Sequence, residues 1–249
     1  MKRVRSISPR TSQALSGVTA VLLAGGLGTR LRSVVADQPK ALAKVRGRAF
    51  LSYLLEQVAT AGVKKVVLCT GYLGSQVQQS FGDSYGHLEL LYSQEATPLG
   101  TGGALRFALP LFQSEYVLVM NGDSFCTVEL DAFWNWHRSR EARASMVLVK
   151  AADARRYGRV YTRRDGQIQR FEEKSSEEGA SWINAGIYLI RSELVETIHP
   201  NNHVSLEQEV IPAWIGQGLY GYESDGRLLD IGTPESYLSA EQFLPAQGH

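Results

Sequence analysis

At 249 residues with 44% apolar side chains, the chain can bury a full core as one large domain or two small ones. Its formal charge of +1 leaves no broad basic surface for nucleic acid, so any phosphate it handles must be met by locally placed cations. No apolar run approaches the roughly 18 residues that cross a bilayer, which excludes a helical membrane protein.

Residues 1–17 place Lys2, Arg3, Arg5 and Arg10 among serines without an apolar stretch of secretory length, and are expected to form a disordered leader. An apolar strand is expected over 18–23. Residues 22–31 then read Leu-Leu-Ala-Gly-Gly-Leu-Gly-Thr-Arg-Leu, with Pro39-Lys40 soon after. A glycine turn leaving a buried strand lets backbone N–H groups close around phosphate oxygens, and Arg30 and Lys40 can add the positive charge that a polyphosphate needs. Read alone, such a run is equally an ordinary strand-to-helix turn. It is not a Walker loop, which would end Gly-Lys-Ser/Thr, and it lacks the third glycine of the dinucleotide fingerprint, so a nicotinamide-binding oxidoreductase is disfavoured.

Residues 50–61 place Leu51, Leu54, Leu55 and Val58 at helical spacing. Further apolar strands are expected at 65–70, 88–92, 116–120, 145–149 and 187–190. Their alternation with helical stretches over the first 125 residues predicts a parallel, doubly wound α/β sheet. Past residue 149 the pattern changes: 157–162 and 167–172 read as a hairpin turning at Asp165-Gly166. Residues 150–244 are therefore expected to be a smaller α+β half completing the globule begun by 18–149. The two cysteines, Cys69 and Cys126, lie in or beside apolar runs without metal-type spacing and are read as reduced, packed thiols, which suits the cytoplasm.

Three further segments carry polar chemistry. Glu95 to Ala104 is a second glycine-rich turn leading into a helix. Tyr116-Val-Leu-Val-Met-Asn-Gly-Asp123 is an apolar strand ending in an acid, where open α/β sheets gather ligand-binding residues, and Leu228-Leu229-Asp230 ends likewise. Each acid has a plainer reading, Asp123 as a turn residue and Asp230 as the N-cap of a helix suggested by Thr233-Pro234-Glu235. Phe171-Glu172-Glu173-Lys174, read alone, is a solvated charged face.

Together these motifs, spread from Val18 to Leu244, resemble the sugar-1-phosphate nucleotidyltransferases, the pyrophosphorylases that make nucleotide-activated sugars. The resemblance implies a Rossmann-like doubly wound mixed sheet of the nucleotide-diphospho-sugar transferase type with a smaller sugar-binding part. It implies that Leu23, Ala24, Gly25, Gly26, Gly28, Thr29 and Arg30 meet the nucleotide, together with Glu95, Gly100, Thr101 and Asp123. Asp123 and Asp230 would hold Mg²⁺; Lys40 and Lys174 would meet the sugar phosphate; Gly158, Glu173 and Asn184 would recognise the sugar. Arg30, Lys40, Asp123, Lys174 and Asp230 are thus the catalytic candidates.

The expected substrates are a nucleoside triphosphate and a sugar 1-phosphate. Glu95 favours GTP, because a carboxylate only accepts hydrogen bonds and guanine offers two adjacent donors, whereas uracil or thymine would suit an amide. Within the family, Arg156 to Val160, Ile183 to Tyr188 and Ser205-Leu206-Glu207 look most like the D-glycero-α-D-manno-heptose 1-phosphate guanylyltransferases, which make GDP-heptose for surface polysaccharides. Short mannose-1-phosphate guanylyltransferases and muramate-type uridylyltransferases share most of these residues. A non-catalytic regulatory relative is a reading of another class, disfavoured because such chains commonly lose the cations and acids present here. The chain stops without the hexapeptide-repeat extension of some relatives, so an acyltransferase activity is not expected. Homo-oligomerisation is left open.

Overall fold

The computed structural model describes residues 14–26, 31, 38–155, 157–173, 179–200 and 202–244. The expected disordered leader falls largely outside the described residues. In chain order, β1 (Thr19–Leu23), β2 (Lys44–Val45) and β3 (Arg48–Ala49) precede α1 (Phe50–Thr60), then β4 (Lys65–Thr70) and α2 (Gly74–Phe81). The short β5 (Ser84–Tyr85), β6 (Leu88–Gln94), α3 (Gly100–Ala108), β7 (Tyr116–Asn121), β8 (Ser124–Cys126) and α4 (Leu130–Ser139) follow. The remainder comprises β9 (Ala144–Ala151), β10 (Arg159–Thr162), β11 (Ile168–Glu172), β12 (Ser181–Arg191), α5 (Ser192–Glu196), α6 (Ile211–Trp214), β13 (Leu219–Ser224), β14 (Leu228–Asp230) and α7 (Pro234–Phe243).

One mixed sheet organises the molecule. β6, β4, β1 and β7 lie side by side and parallel, in register Leu23–Cys69 on one flank of β1 and Leu23–Asn121 on the other. β1, β4 and β7 are apolar at nearly every position because both faces are covered, whereas β6 exposes Glu89 and Gln94. Ala20, Leu22, Val66, Leu68, Leu118 and Met120 point into one core with Leu51, Leu54, Leu55 and Val58 of α1. The alternating Val21, Val67, Cys69, Val117 and Val119 point into the other with Leu105 and Ala108 of α3.

β12 joins the sheet antiparallel to β7, from Ile187–Met120 to Arg191–Tyr116, and pairs along its length with β9. β13 adds to β9, and the hairpin of β10 and β11 continues from the other end of β12. The hairpin turn lies where the sequence predicts it: Gly166, with φ +87°, donates its N–H to the Arg163 carbonyl at 2.9 Å. The change of pattern at residue 149 falls inside β9, a strand bonded only to β12 and β13 among the described residues.

The chain runs from β1 outward through β4 to β6 and then returns to the opposite flank of β1 as β7. That reversal makes a topological switch point, where connections diverge and leave a crevice at the carboxyl ends of the strands. No helix among the described residues is long and apolar enough to cross a membrane.

Candidate active site

A cavity of about 260 Å³ opens at this switch point. Leu23, Ala24, Gly25 and Gly26 line it as the chain leaves β1, and Asp123 as it leaves β7. Glu95, Gly100 and Thr101 close another wall, and Lys40 enters from the segment between β1 and α1. The backbones converge tightly. Ala24 donates its N–H to the Cys69 carbonyl at 2.8 Å, and Gly122 donates to the Leu23 carbonyl at 2.9 Å. A Cβ on Gly122 would lie 2.7 Å from that same carbonyl oxygen, which explains why only glycine fits between Asn121 and Asp123.

Glu95 sits where the loop after β6 crosses behind the first glycine turn. One carboxylate oxygen accepts the Leu99 N–H at 3.1 Å, and the other faces Gly25 and Gly71, where added Cβ atoms would approach it to 3.3 and 3.0 Å. Burial raises its pKa above the ordinary carboxylate value, opposed by the Leu99 N–H and by the charge of His203. Glu95, Gly25 and Pro98 also border an adjoining cavity of about 320 Å³. The first turn of α3 is built for close approach: Gly102 and Gly103 both donate N–H groups to the Val204 carbonyl, at 2.9 and 3.1 Å.

Lys40 is the centre of charge. It opens a short 3₁₀ turn, Lys40–Leu42, whose Ala41 and Leu42 are buried. Its ammonium donates to Asp123 Oδ2 at 2.8 Å and lies 3.8 Å from Asp230 Oδ1. Asp123 and Asp230, remote in sequence, are brought together by a two-stranded ribbon in which β14 pairs antiparallel with β8, Asp230 opposite Ser124. The Ile231 N–H donates to the Asp123 carbonyl at 3.0 Å and locks the end of that ribbon. Because one ammonium touches both carboxylates, their facing oxygens lie no further apart than the sum of the two distances. A pair of hard oxygen donors converging on a resident cation is the donor set that a divalent ion with oxygen preference takes from a protein. No cluster of three or more metal-ligating side chains occurs among the described residues, so water and a ligand's own oxygens would complete such a shell.

One sequence expectation is corrected here. Asp230 is not the N-cap of α7: Thr233 is, its hydroxyl accepting the Ser236 N–H at 3.3 Å in a capping box completed by the Ser236 hydroxyl. Asp230 Oδ1 instead accepts the Gly232 N–H at 2.6 Å in a local turn, which leaves its carboxylate facing Lys40.

The residues expected to meet the sugar form a neighbouring cluster rather than part of the same cavity wall. Gly158 accepts the Asn184 N–H at 2.9 Å, and a Cβ on Gly158 would lie 2.9 Å from a Glu173 carboxylate oxygen and 2.5 Å from the Phe171 ring. The bulge in β12 between Asn184 and Tyr188 turns the Asn184 amide onto the Tyr188 hydroxyl at 2.7 Å. Tyr188 reaches Glu207 at 3.4 Å, and Glu207 accepts the Thr101 hydroxyl at 2.7 Å, so a hydrogen-bonded chain joins this cluster to the cavity. Burial, then the nearby Glu207, push the Tyr188 phenol well above its usual pKa, keeping it neutral. Gly28, Thr29, Arg30 and Lys174 lie outside the described residues.

Asn121, Gly122 and His203 are among the wall residues not singled out from the sequence. Asn121 and Gly122 belong to the motif that ends at Asp123, and a polar residue closing a fully apolar strand is the signal that could have found Asn121. Its amide oxygen is buried with no hydrogen-bond partner among the described residues. His203, beside Gly100, has no sequence signal beyond being a histidine in a loop.

The chain is similar to known proteins along nearly its whole length. Residues 19–247 match the family described as nucleotidyl transferase. The chain is 34% identical over 226 residues to D-glycero-alpha-D-manno-heptose 1-phosphate guanylyltransferase of Aneurinibacillus thermoaerophilus, covering 90% of this chain and 97% of that one. It is 35% identical over 231 residues to mannose-1-phosphate guanylyltransferase of Mycobacterium tuberculosis, covering 91% of this chain but spanning only 64% of that protein. The crystal structure of HddC from Yersinia pseudotuberculosis superposes with a TM-score of 0.80 at 30% identity over 91% of this chain and 99% of its own, and HddC has also been solved complexed with GMP-PN. Members of the family generally use divalent metal ions, in keeping with the paired carboxylates. With nearly its whole length matched, the chain belongs to the nucleotidyl transferase family.

Proposed function

We propose that this protein transfers GMP from GTP to D-glycero-α-D-manno-heptose 1-phosphate, giving GDP-heptose and pyrophosphate. The observation that carries the reading is the convergence of Lys40, Asp123 and Asp230 at the switch point, beside Gly25 and Gly26. The choice of heptose is supported by alignment over nearly the full length of the heptose enzyme. Mannose 1-phosphate is the second acceptor to consider, because a mannose-1-phosphate enzyme is as similar in sequence. Free, buried cysteines support a cytoplasmic setting.

The reaction is an in-line attack of a sugar-phosphate oxygen on the α-phosphorus, and the nucleophile needs no base. The second pKa of a phosphate monoester is about 6, so the attacking group is mostly a dianion at neutral pH. The protein's task is to bring two anions together and to stabilise charge on the departing pyrophosphate. Gly25 and Gly26 would cradle the triphosphate with Arg30, while Lys40 and Lys174 would neutralise the incoming phosphate. Glu95 would accept from guanine, and Gly158, Glu173 and Asn184 would hold the sugar. Asp123 and Asp230 would hold Mg²⁺, which supplies charge stabilisation at the α-phosphate when bound.

The test is a matrix of the four common nucleoside triphosphates against heptose, mannose, glucose and N-acetyl sugar 1-phosphates, read by pyrophosphate release. GTP with heptose 1-phosphate should give the highest kcat/KM. A higher value for mannose 1-phosphate selects the second acceptor, and no release from any pair removes the enzymatic reading.

A further inference from the structure

The buried member of the Lys40, Asp123 and Asp230 group is the cation. The Lys40 side chain is 10% exposed, against 47% for Asp123 and 30% for Asp230. Its backbone is fixed by the 3₁₀ turn, with the Leu42 N–H on the Pro39 carbonyl at 2.9 Å and the Ala43 N–H on the Lys40 carbonyl at 3.0 Å. Only the side chain is free to change partner. Two carboxylates held this close repel one another unless a positive charge lies between them, and the Lys40 ammonium is that charge.

A divalent ion with oxygen preference would draw an oxygen from each of the same two carboxylates, at about 2.0–2.1 Å for Mg²⁺. An ammonium 2.8 Å from one of those carboxylates would then be left within a few ångströms of a dication, in a partly buried site where like charges repel strongly. The lysine and the ion therefore compete electrostatically for the same pair of carboxylates.

We propose that Lys40 is the resident counter-ion of the metal site: it holds Asp123 and Asp230 together in the metal-free protein, and metal entry releases its ammonium into the cavity that it lines, toward phosphate. This rests on the reading of the two acids as metal carboxylates. Its consequence is that Lys40 weakens metal binding to the substrate-free protein. A phosphate that captures the released ammonium relieves that competition, so metal and triphosphate each tighten the other's binding, a coupling that is necessarily reciprocal.

The experiment titrates Mn²⁺ into the substrate-free full chain, followed by electron paramagnetic resonance of the unbound ion, for wild type, Lys40→Met, Lys40→Gln and Asp123→Asn. The two lysine variants should bind Mn²⁺ about tenfold more tightly than wild type, within the usual range of such couplings, and Asp123→Asn more weakly. Thermal unfolding supplies a second readout: Mn²⁺ should raise the Tm of Lys40→Met and Lys40→Gln by more than it raises that of wild type. If both lysine variants bind Mn²⁺ no better than wild type while Asp123→Asn binds it worse, Lys40 is not the competitor and the carboxylate site stands. If Asp123→Asn changes nothing, the metal reading and this proposal fall together.

Discussion

Lys40 and Asp123 meet across 83 positions of sequence at 2.8 Å; in the proposed reaction Lys40 would neutralise the incoming phosphate and Asp123 would hold the metal. Losing one preorganised charge contact to a transition state costs on the order of 3 kcal/mol, about a hundredfold in rate. Lys40→Ala and Asp123→Ala should therefore each nearly abolish pyrophosphate release from GTP and sugar phosphate while leaving the far-ultraviolet circular dichroism unchanged. A purified variant with wild-type turnover would take that residue out of the chemistry. Gly158 acts by space instead. A methyl there would press on the Phe171 ring at 2.5 Å and on the Glu173 carboxylate at 2.9 Å, so Gly158→Ala should raise KM for the sugar phosphate by about tenfold, the effect of a displaced contact worth roughly 1.4 kcal/mol. KM for GTP should move much less, and equal changes in both would show that the glycine serves the fold rather than the sugar.

Among the elements, α4 docks on the sheet through His137, whose Nδ1 lies 2.8 Å from the Ser145 hydroxyl of β9 and whose ring stacks on Trp134 and meets Tyr116 edge-on. Burial, then the charges of Arg138 and Arg191, depress its pKa from 6.5 to about 4. The unfolded chain therefore takes up a proton that the native one refuses between these two pH values. The neutral ring's contribution is whole above pH 6.5 and is lost as pH falls toward about 4, a loss on the order of 3 kcal/mol. The Tm of wild type should thus fall more steeply over that interval than that of His137→Phe, and parallel curves would assign the acid limb to other groups. At the other end of the chain, the Thr233 capping box fixes the start of α7 just after Asp230. Thr233→Ala should cost about 1 kcal/mol in urea unfolding, the usual worth of an N-cap.

At the scale of the molecule, β12 is bonded to β7 on one side and to β9 along the other, so the two halves distinguished by their sequence pattern share one sheet and its cores. Unfolding should follow one transition by circular dichroism and by tryptophan fluorescence, whereas two separated midpoints would mean that the halves melt independently. The parallel strands can be read from the chain because burial on both faces writes an uninterrupted apolar run, a purely local signal, as Lys65–Thr70 illustrates. The glycine turn after β1 and the acid after β7 are equally local, so the order of residues displays them unaided. The company that Lys40 keeps is not legible in that way. It depends on β14 pairing with β8 and on β7 returning beside β1, choices of partner and register made between segments far apart in the chain. Periodicity determines by itself which residues are buried and where turns must fall. Which side chains then meet is decided only by long-range pairing, because a hydrogen-bonded ladder joins whatever the sheet order places alongside.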